Sequence, residues 1–368
     1  MTGSKIPFTG LQRQYNDLRD ELLDAADRVW RSGQVLDGPC TEKFERAIAL
    51  RCERRFAISV NSCTQALIFA QQALSLNQTR ILIPTVSFVA TLNSVFLADN
   101  EPRFCDVDDR ALMDFESLDY ALKGTGVGAV MYVNLFGHCL DYEKLKLETS
   151  FFNENLPIIE DAAQSFGASR KGIPSGKMGD ISVLSFDPTK NLPAYGSGGM
   201  LLTDDHTVAE RVVNLRDNGK PSMFHMTGTN SKMSEAECAQ LLVKLKYFDA
   251  WQRRRREIAE FYISELSDWV DVIMPDRDTV SAWHKFVIRT PDRSRIHGHL
   301  KTQGIETKIH YETPLFEYPC AQEYVDYATE MFRMGHAHSV EALSLPIYPE
   351  LTNSEVEYVI EAIQDYLR

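Results

Sequence analysis

The stretch Pro157-Ile158-Ile159-Glu160-Asp161-Ala162-Ala163-Gln164 decides the fold. An apolar run passes straight into two adjacent carboxylates and then into small residues, the pattern of a short buried strand that stops at a turn. Similar runs recur on both sides of it, and strands are predicted over 56–60, 81–84, 102–107, 128–134, 157–161, 181–186 and 199–203. Helical spacing fills several of the gaps, over 64–74, 88–98 and 142–147. Short apolar strands alternating with helices predict an α/β fold, a mostly parallel seven-stranded sheet covered on both faces.

Outward from this centre the pattern changes. Leu18, Leu22, Ala25 and Val29 mark a helix over 11–31, followed by a Gly-containing turn, 32–39, and a second helix starting near Thr41. Beyond Lys246 the alternation gives way to a long helical run (234–266), strands near 280–288 and 307–309, and a closing helix over 354–367. This predicts a large domain over 1–245 and a smaller α+β domain over 246–368.

The chain has 368 residues, 44% hydrophobic and 25% charged, with a formal net charge of -13. Such an acidic balance argues against nucleic acid or an anionic membrane as the main partner. The densest basic run, Arg253-Arg254-Arg255-Arg256, reads as a solvated helix face. The start of the chain has no apolar core preceded by basic residues, and its longest apolar stretch, around 127–133, is too short to span a bilayer. Seven scattered cysteines without a CxxC pair predict reduced thiols and a cytoplasmic protein.

A second stretch carries chemistry. Ser185-Phe186-Asp187-Pro188-Thr189-Lys190-Asn191-Leu192 sets a lysine in a loop between two apolar strands, and Gly196-Ser197-Gly198-Gly199 follows. A loop lysine and the strand-end Asp161 are what pyridoxal 5′-phosphate (PLP) requires. The amine can hold the cofactor aldehyde as a Schiff base, and the carboxylate can keep the pyridine nitrogen protonated. After the strand over 56–60, Asn61-Ser62-Cys63-Thr64 opens a helix whose N–H groups and hydroxyls suit a phosphate, although Ser62 or Thr64 also reads as a plain N-cap. Phe88, just beyond the strand over 81–84, can stack on a flat ring or pack in the core. Gln164 lies three residues past Asp161, toward the cofactor's phenolic oxygen. The Gly196–Gly199 run has the wrong spacing for a dinucleotide fingerprint, and no Walker loop is present. His297/His299 and His336/His338 have no acidic or cysteine partners in sequence, so no metal site is predicted.

With these motifs in order, the chain resembles the PLP-dependent nucleotide-sugar aminotransferases of fold type I, the DegT family. The likeness also takes in the turn over 32–39, 84–90, Gly228-Thr229-Asn230-Ser231-Lys232-Met233, Thr307-Lys308-Ile309-His310-Tyr311 and Ser344-Leu345-Pro346. The resemblance implies Lys190 as the Schiff-base lysine and Asp161 at the ring nitrogen. Gln164 would lie near the phenolic oxygen, Phe88 on the ring, and Ser62, Cys63, Thr64 and Ser185 around the phosphate. Asn230 would reach that phosphate from a second subunit, which implies a homodimer with shared sites. Lys232, His310 and Tyr311 would bind substrates: an amino acid donor, most often L-glutamate, and a nucleotide-linked keto-sugar. The implied role is deoxyamino-sugar biosynthesis for a surface polysaccharide such as O-antigen lipopolysaccharide, or for a glycosylated metabolite.

Three positions depart from the family pattern. Cys63 stands where Gly is common, Ser197 where an acid is common, and Lys232 where Arg is common; a lysine lacks the bidentate fork with which arginine holds a carboxylate. Dehydratases of the same fold carry His at the lysine position, so Lys190 favours transamination over dehydration. A non-catalytic PLP-binding regulator is the alternative from another class.

Overall fold

The computed structural model describes residues 5–123, 126–220, 224, 226–325 and 331–368. Each strand expected in the first half of the chain forms: β1 (Phe56–Val60), β2 (Arg80–Pro84), β3 (Glu101–Cys105), β4 (Val127–Val133) and β5 (Ile158–Asp161). A short hairpin, β6 (Ser169–Arg170) and β7 (Ile173–Pro174), precedes β8 (Ile181–Ser185) and β9 (Gly199–Thr203). The main sheet has the order β1-β9-β8-β5-β4-β2-β3, in which only β9 runs against its neighbours.

The first helices are α1 (Leu11–Ser32), α2 (Pro39–Arg51), α3 (Cys63–Ala73), α4 (Ala90–Leu97), α5 (Phe115–Leu122) and α6 (Tyr142–Ser150). They are followed by α7 (His206–Arg216), α8 (Glu235–Leu245), α9 (Phe248–Leu266), α10 (Arg293–Thr302), α11 (Arg333–Glu341) and α12 (Asn353–Leu367). Because side chains alternate across a strand, neighbouring residues serve opposite cores. Ile83 and Ile159 pack with Phe69 and Phe104 on one face, while Leu82 and Ile158 pack with Val130 and Tyr132 on the other. Each such fully buried side chain contributes roughly 1.5–3 kcal/mol.

A second, antiparallel sheet contains β10 (Asp271–Val272), β12 (Phe286–Arg289) and β13 (Ala342–Leu345), while β11 (Thr279–Val280) pairs with β6 instead. Its core holds Tyr262, Phe286, Leu343 and Ile363, and Ile6 joins it through a bridge to Ile305. The α2 N-terminus is closed from a distance: the Glu235 carboxylate accepts from the N–H groups of Gly38, Cys40 and Thr41 and from the Thr41 hydroxyl. An anion there also complements the helix dipole.

Four local expectations need correction. The run over 234–266 is two helices, because α8 packs on α1 and α2 whereas α9 packs on α12. Lys246 and Tyr247 turn the chain between them with bonds to Val243 and Lys244. The strand expected over 280–288 splits, and Ser281–Lys285 leaves the sheet between β11 and β12. The strand expected over 307–309 is a single bridge, Lys308 to Ser344. The arginine run is not wholly solvated either: Arg255 is buried and donates to the carbonyls of Trp283 and Ile347. No helix among the described residues is long and apolar enough to cross a membrane.

Candidate active site

The carboxyl ends of β1, β2, β4, β5 and β8 converge on one sheet edge, where open α/β sheets bind ligands. A cavity of about 660 Å³ lies there, lined by Ser62, Cys63, Thr64, Phe88, Asp161, Gln164, Ser185, Lys190, His310 and Tyr311. Its size suits a cofactor together with a substrate.

One end is an anion cradle. Ser62 caps α3, its Oγ accepting from the Gln65 N–H at 3.1 Å, so the N-cap reading of Ser62 holds. Its hydroxyl proton stays free to donate, and Thr64 Oγ1 makes no hydrogen bond among the described residues. Gly199, beside Val60 and Ser185 in the sheet, makes the cradle possible: a Cβ there would lie 2.4 Å from the Ser62 carbonyl carbon. Ser185 Oγ accepts from the Asp187 N–H at 3.3 Å. Cys63 fits as the first residue of α3 with an ordinary negative φ, and burial holds its thiol well above the usual range, so it lines the cavity uncharged.

Deeper in, Asp161 is buried at the end of β5. One carboxylate oxygen accepts from Thr91 Oγ1 and the other from the Ala163 N–H, each at 3.1 Å. Burial raises its pKa, and the nearby Lys190 charge acts against that rise. Lys190 shows the complement: burial lowers its pKa, while Cys63, Asp161 and Asp187 act to raise it. A less basic lysine is unprotonated, and hence nucleophilic, for more of the time. Its loop is pinned by Asn191, which donates to the Ala282 carbonyl at 2.7 Å and meets His284 Nδ1 at 3.1 Å.

Phe88 is 53% exposed although it sits in a concave wall, and its ring lies 6.2 Å from that of Tyr311. Gln164 accepts from the Phe136 N–H at 3.0 Å and donates to the Tyr311 hydroxyl at 2.9 Å. His310 Nδ1 meets Ser344 Oγ at 2.8 Å, and burial, reinforced by Lys285 and Lys190, lowers its pKa to about 3. These residues fit pyridoxal phosphate. An open aromatic face, a buried carboxylate with few donors, a loop amine and a helix N-terminus surround one cavity.

The DegT/DnrJ/EryC1/StrS aminotransferase family profile matches residues 16–364. The chain belongs to that family. It is 33% identical to the erythromycin biosynthesis sensory transduction protein EryC1 of Saccharopolyspora erythraea, over 98% of this chain and 99% of that one. It is likewise 33% identical to the dTDP-3-amino-3,4,6-trideoxy-alpha-D-glucose transaminase of Streptomyces venezuelae, over 98% and 96%. The crystal structure of S. venezuelae DesV in complex with a ketimine intermediate superposes with a TM-score of 0.94 at 31% identity, covering 100% of this chain and 99% of that chain. The protein is therefore a fold type I aminotransferase, and its cofactor is pyridoxal phosphate.

Two residues named from the DegT likeness lie outside the cavity of the single chain. Asn230 is exposed and bridges Asp217 through its backbone, and the Lys232 ammonium pairs with Asp217 and, at 3.7 Å, with Asp37. The histidine pairs make ordinary contacts: His297 with Thr307, His299 with the Ala362 carbonyl, His336 with Glu317 and His338 with the His310 carbonyl. Sequence reasoning missed Phe8, Thr91, His284 and Lys285, all of which line the cavity. Thr91 had a signal: the helix expected over 88–98 puts it three residues after Phe88 on nearly the same face, although α4 itself starts only at Ala90. The segment 281–285 had none, because its apolar context read as strand.

Proposed function

We propose that this aminotransferase transfers an amino group from an amino acid, L-glutamate first of all, to a ketone on a nucleotide-linked sugar. The observation that carries the reading is the meeting of Lys190 and Asp161, a loop amine and a strand-end acid, in one buried cavity beside the α3 N-terminus. The substrate printed in the name of the Streptomyces transaminase supports the sugar class. Deoxyamino-sugar formation, for a surface polysaccharide or a glycosylated metabolite, is the setting this chemistry suits.

Pyridoxal phosphate, when bound, supplies an aldehyde that carries the amino group between substrates and a ring that accepts electrons. The chain's own residues do the rest. Lys190 would anchor the cofactor through its amine and, with that amine free, move the proton at the donor α-carbon as base and then acid. Asp161 would hold a positive ring nitrogen, which would offset the cost of its own burial. Phe88 would cover one ring face. Ser62, Cys63, Thr64 and Ser185 would hold the phosphate, Gln164 and Tyr311 the phenolic side, and His310 would line the sugar side.

A homodimer completes the site, with Asn230 and Lys232 serving the neighbouring subunit. The exposed Trp30, Val35 and Leu36 beside the turn that follows α1 supply apolar surface for such an interface. We place the larger unit at residues 1–245, the smaller at 246–368, and the protein in the cytoplasm.

In the test, purified enzyme is incubated with L-glutamate and a panel of nucleotide keto-sugars, and products are read by mass spectrometry. Wild type should yield aminated sugar, and Lys190→Ala should yield none and lose the protein-bound cofactor absorbance. Full activity in Lys190→Ala would reject the mechanism. A cofactor spectrum that L-glutamate leaves unchanged would favour the regulator reading.

A further inference from the structure

Lys190, Lys244 and Lys285 lie in this part of the fold, the last two buried, and the first two are accounted for. Lys190 is the anchor proposed above. Lys244 donates to the Pro193 carbonyl at 2.7 Å, and its nitrogen sits 3.7 Å from the Tyr195 ring centroid. Lys285 is different. It is only 6% exposed and lines the cavity, yet its ammonium makes no hydrogen bond and no ion pair among the described residues. Among the described residues the ammonium lies over the Phe8 ring, 4.8 Å from its centroid. An ammonium withdrawn from water without an anion is costly, and an aromatic face offsets little of that cost.

The surrounding charges do not supply the missing anion. Burial pushes the Lys285 amine well below the ordinary lysine range, and the charges of Lys190 and Arg255 push it the same way, opposed only by Asp187. Among the described residues Asp187 makes no ion pair with Lys285 and accepts at Oδ1 from the Thr189 N–H and hydroxyl, and Glu306 is taken by Lys5 and the Phe8 N–H. Lys308, the other cation on the wall, is exposed and solvated.

We propose that Lys285 binds a carboxylate of the substrate seated over Lys190, the α-carboxylate of the amino donor first of all. The inference rests on the transaminase reading and deepens it. An α-carboxylate is only two bonds from the reacting nitrogen, so it must arrive close to Lys190, as Lys285 does. The phosphates of a nucleotide sugar lie farther off, beyond the sugar ring. A carboxylate on the sugar itself is the other source of the same chemistry. Lys232 is already held by Asp217 and Asp37 and lacks arginine's fork, so a second cation inside the cavity has a task to perform.

The test uses cofactor-loaded wild type, Lys285→Met and Lys285→Arg. Calorimetric titration with glutarate, a dicarboxylate with no amine to react, gives binding apart from turnover. Steady-state kinetics are run with L-glutamate against a keto-sugar and its uronate counterpart. Lys285→Met should weaken glutarate about 10- to 100-fold and raise KM for glutamate more than it lowers kcat, with cofactor absorbance retained. Lys285→Arg should recover most of the binding. A rise in KM confined to the uronate would assign the carboxylate to the sugar. Unchanged glutarate affinity and unchanged KM for both substrates, with only a lower melting temperature, would overturn the proposal and leave Lys285 as a packing partner of Phe8. If Lys285→Met fails to hold cofactor, Lys285→Gln is read by the same criteria. Failure of wild type to transaminate would instead strike at the function reading.

Discussion

Glu160 and Asp161 are neighbours on β5 that point to opposite faces of the sheet, and they carry opposite tasks. Glu160 is fully buried and saturated: it accepts from Asn134 Nδ2, Ser175 Oγ, the N–H groups of Gly176 and Met178, and Ser182 Oγ. Asp161 is also buried, but among the described residues only Thr91 and the Ala163 N–H donate to it, and burial raises its pKa. A carboxylate whose lone pairs are all taken ties together the chain around it. One left short of donors on a cavity wall is poised for a cation that the protein does not supply.

Substitutions can break this contrast. Asp161→Asn should lower kcat about 10²- to 10³-fold, because a neutral amide cannot hold a positive ring nitrogen, while the fold survives. Stopped-flow of the donor half-reaction and a melting curve would check both halves of that statement. Glu160→Gln should do the reverse. Replacing one acceptor oxygen by a donor leaves several buried N–H and hydroxyl groups unpaired, for a loss of about 3 kcal/mol in denaturant unfolding. The protein that remains folded should turn over at close to the wild-type rate.

The smallest effect sharpens the contrast through pH. A carboxyl group with a raised folded-state pKa binds protons in the folded state over a window where the unfolded chain has released them. Its contribution to stability is therefore full below the unfolded value and falls as pH rises through the folded one. The cofactor-free wild type should accordingly lose stability relative to Asp161→Asn as pH climbs out of the ordinary carboxylate range. The two should converge near pH ~4. Adding cofactor should remove the difference, because a cation then faces Asp161. Melting temperatures across pH, with and without cofactor, would read this directly.

Much of this was legible in the residues. The strands of the main sheet are short apolar runs with turn residues at their ends, and each appears within a residue or two of its expected place. The DegT likeness put Lys190, Asp161, Phe88, Gln164, His310 and Tyr311 together, and the cavity contains them all. The misses share a cause. Residues 281–285 look like strand by composition, yet they peel away to let Ala282 and His284 grip Asn191, and only tertiary packing dictates that. Arg255 sits in a basic run yet is buried, because its helix turns that one position toward the carbonyls of Trp283 and Ile347.

Local pattern thus determined the sheet, the family and the identity of the chemical groups, because strand periodicity and strand-end residue types are written in short stretches of chain. Whether an ionisable side chain is saturated or left wanting was decided by the tertiary structure alone. The donors to Glu160 come from three separate segments, and the anions missing around Lys285 are missing because other segments spend theirs elsewhere. Adjacent acids, or two lysines in similar apolar settings, read alike until the whole chain has closed around them.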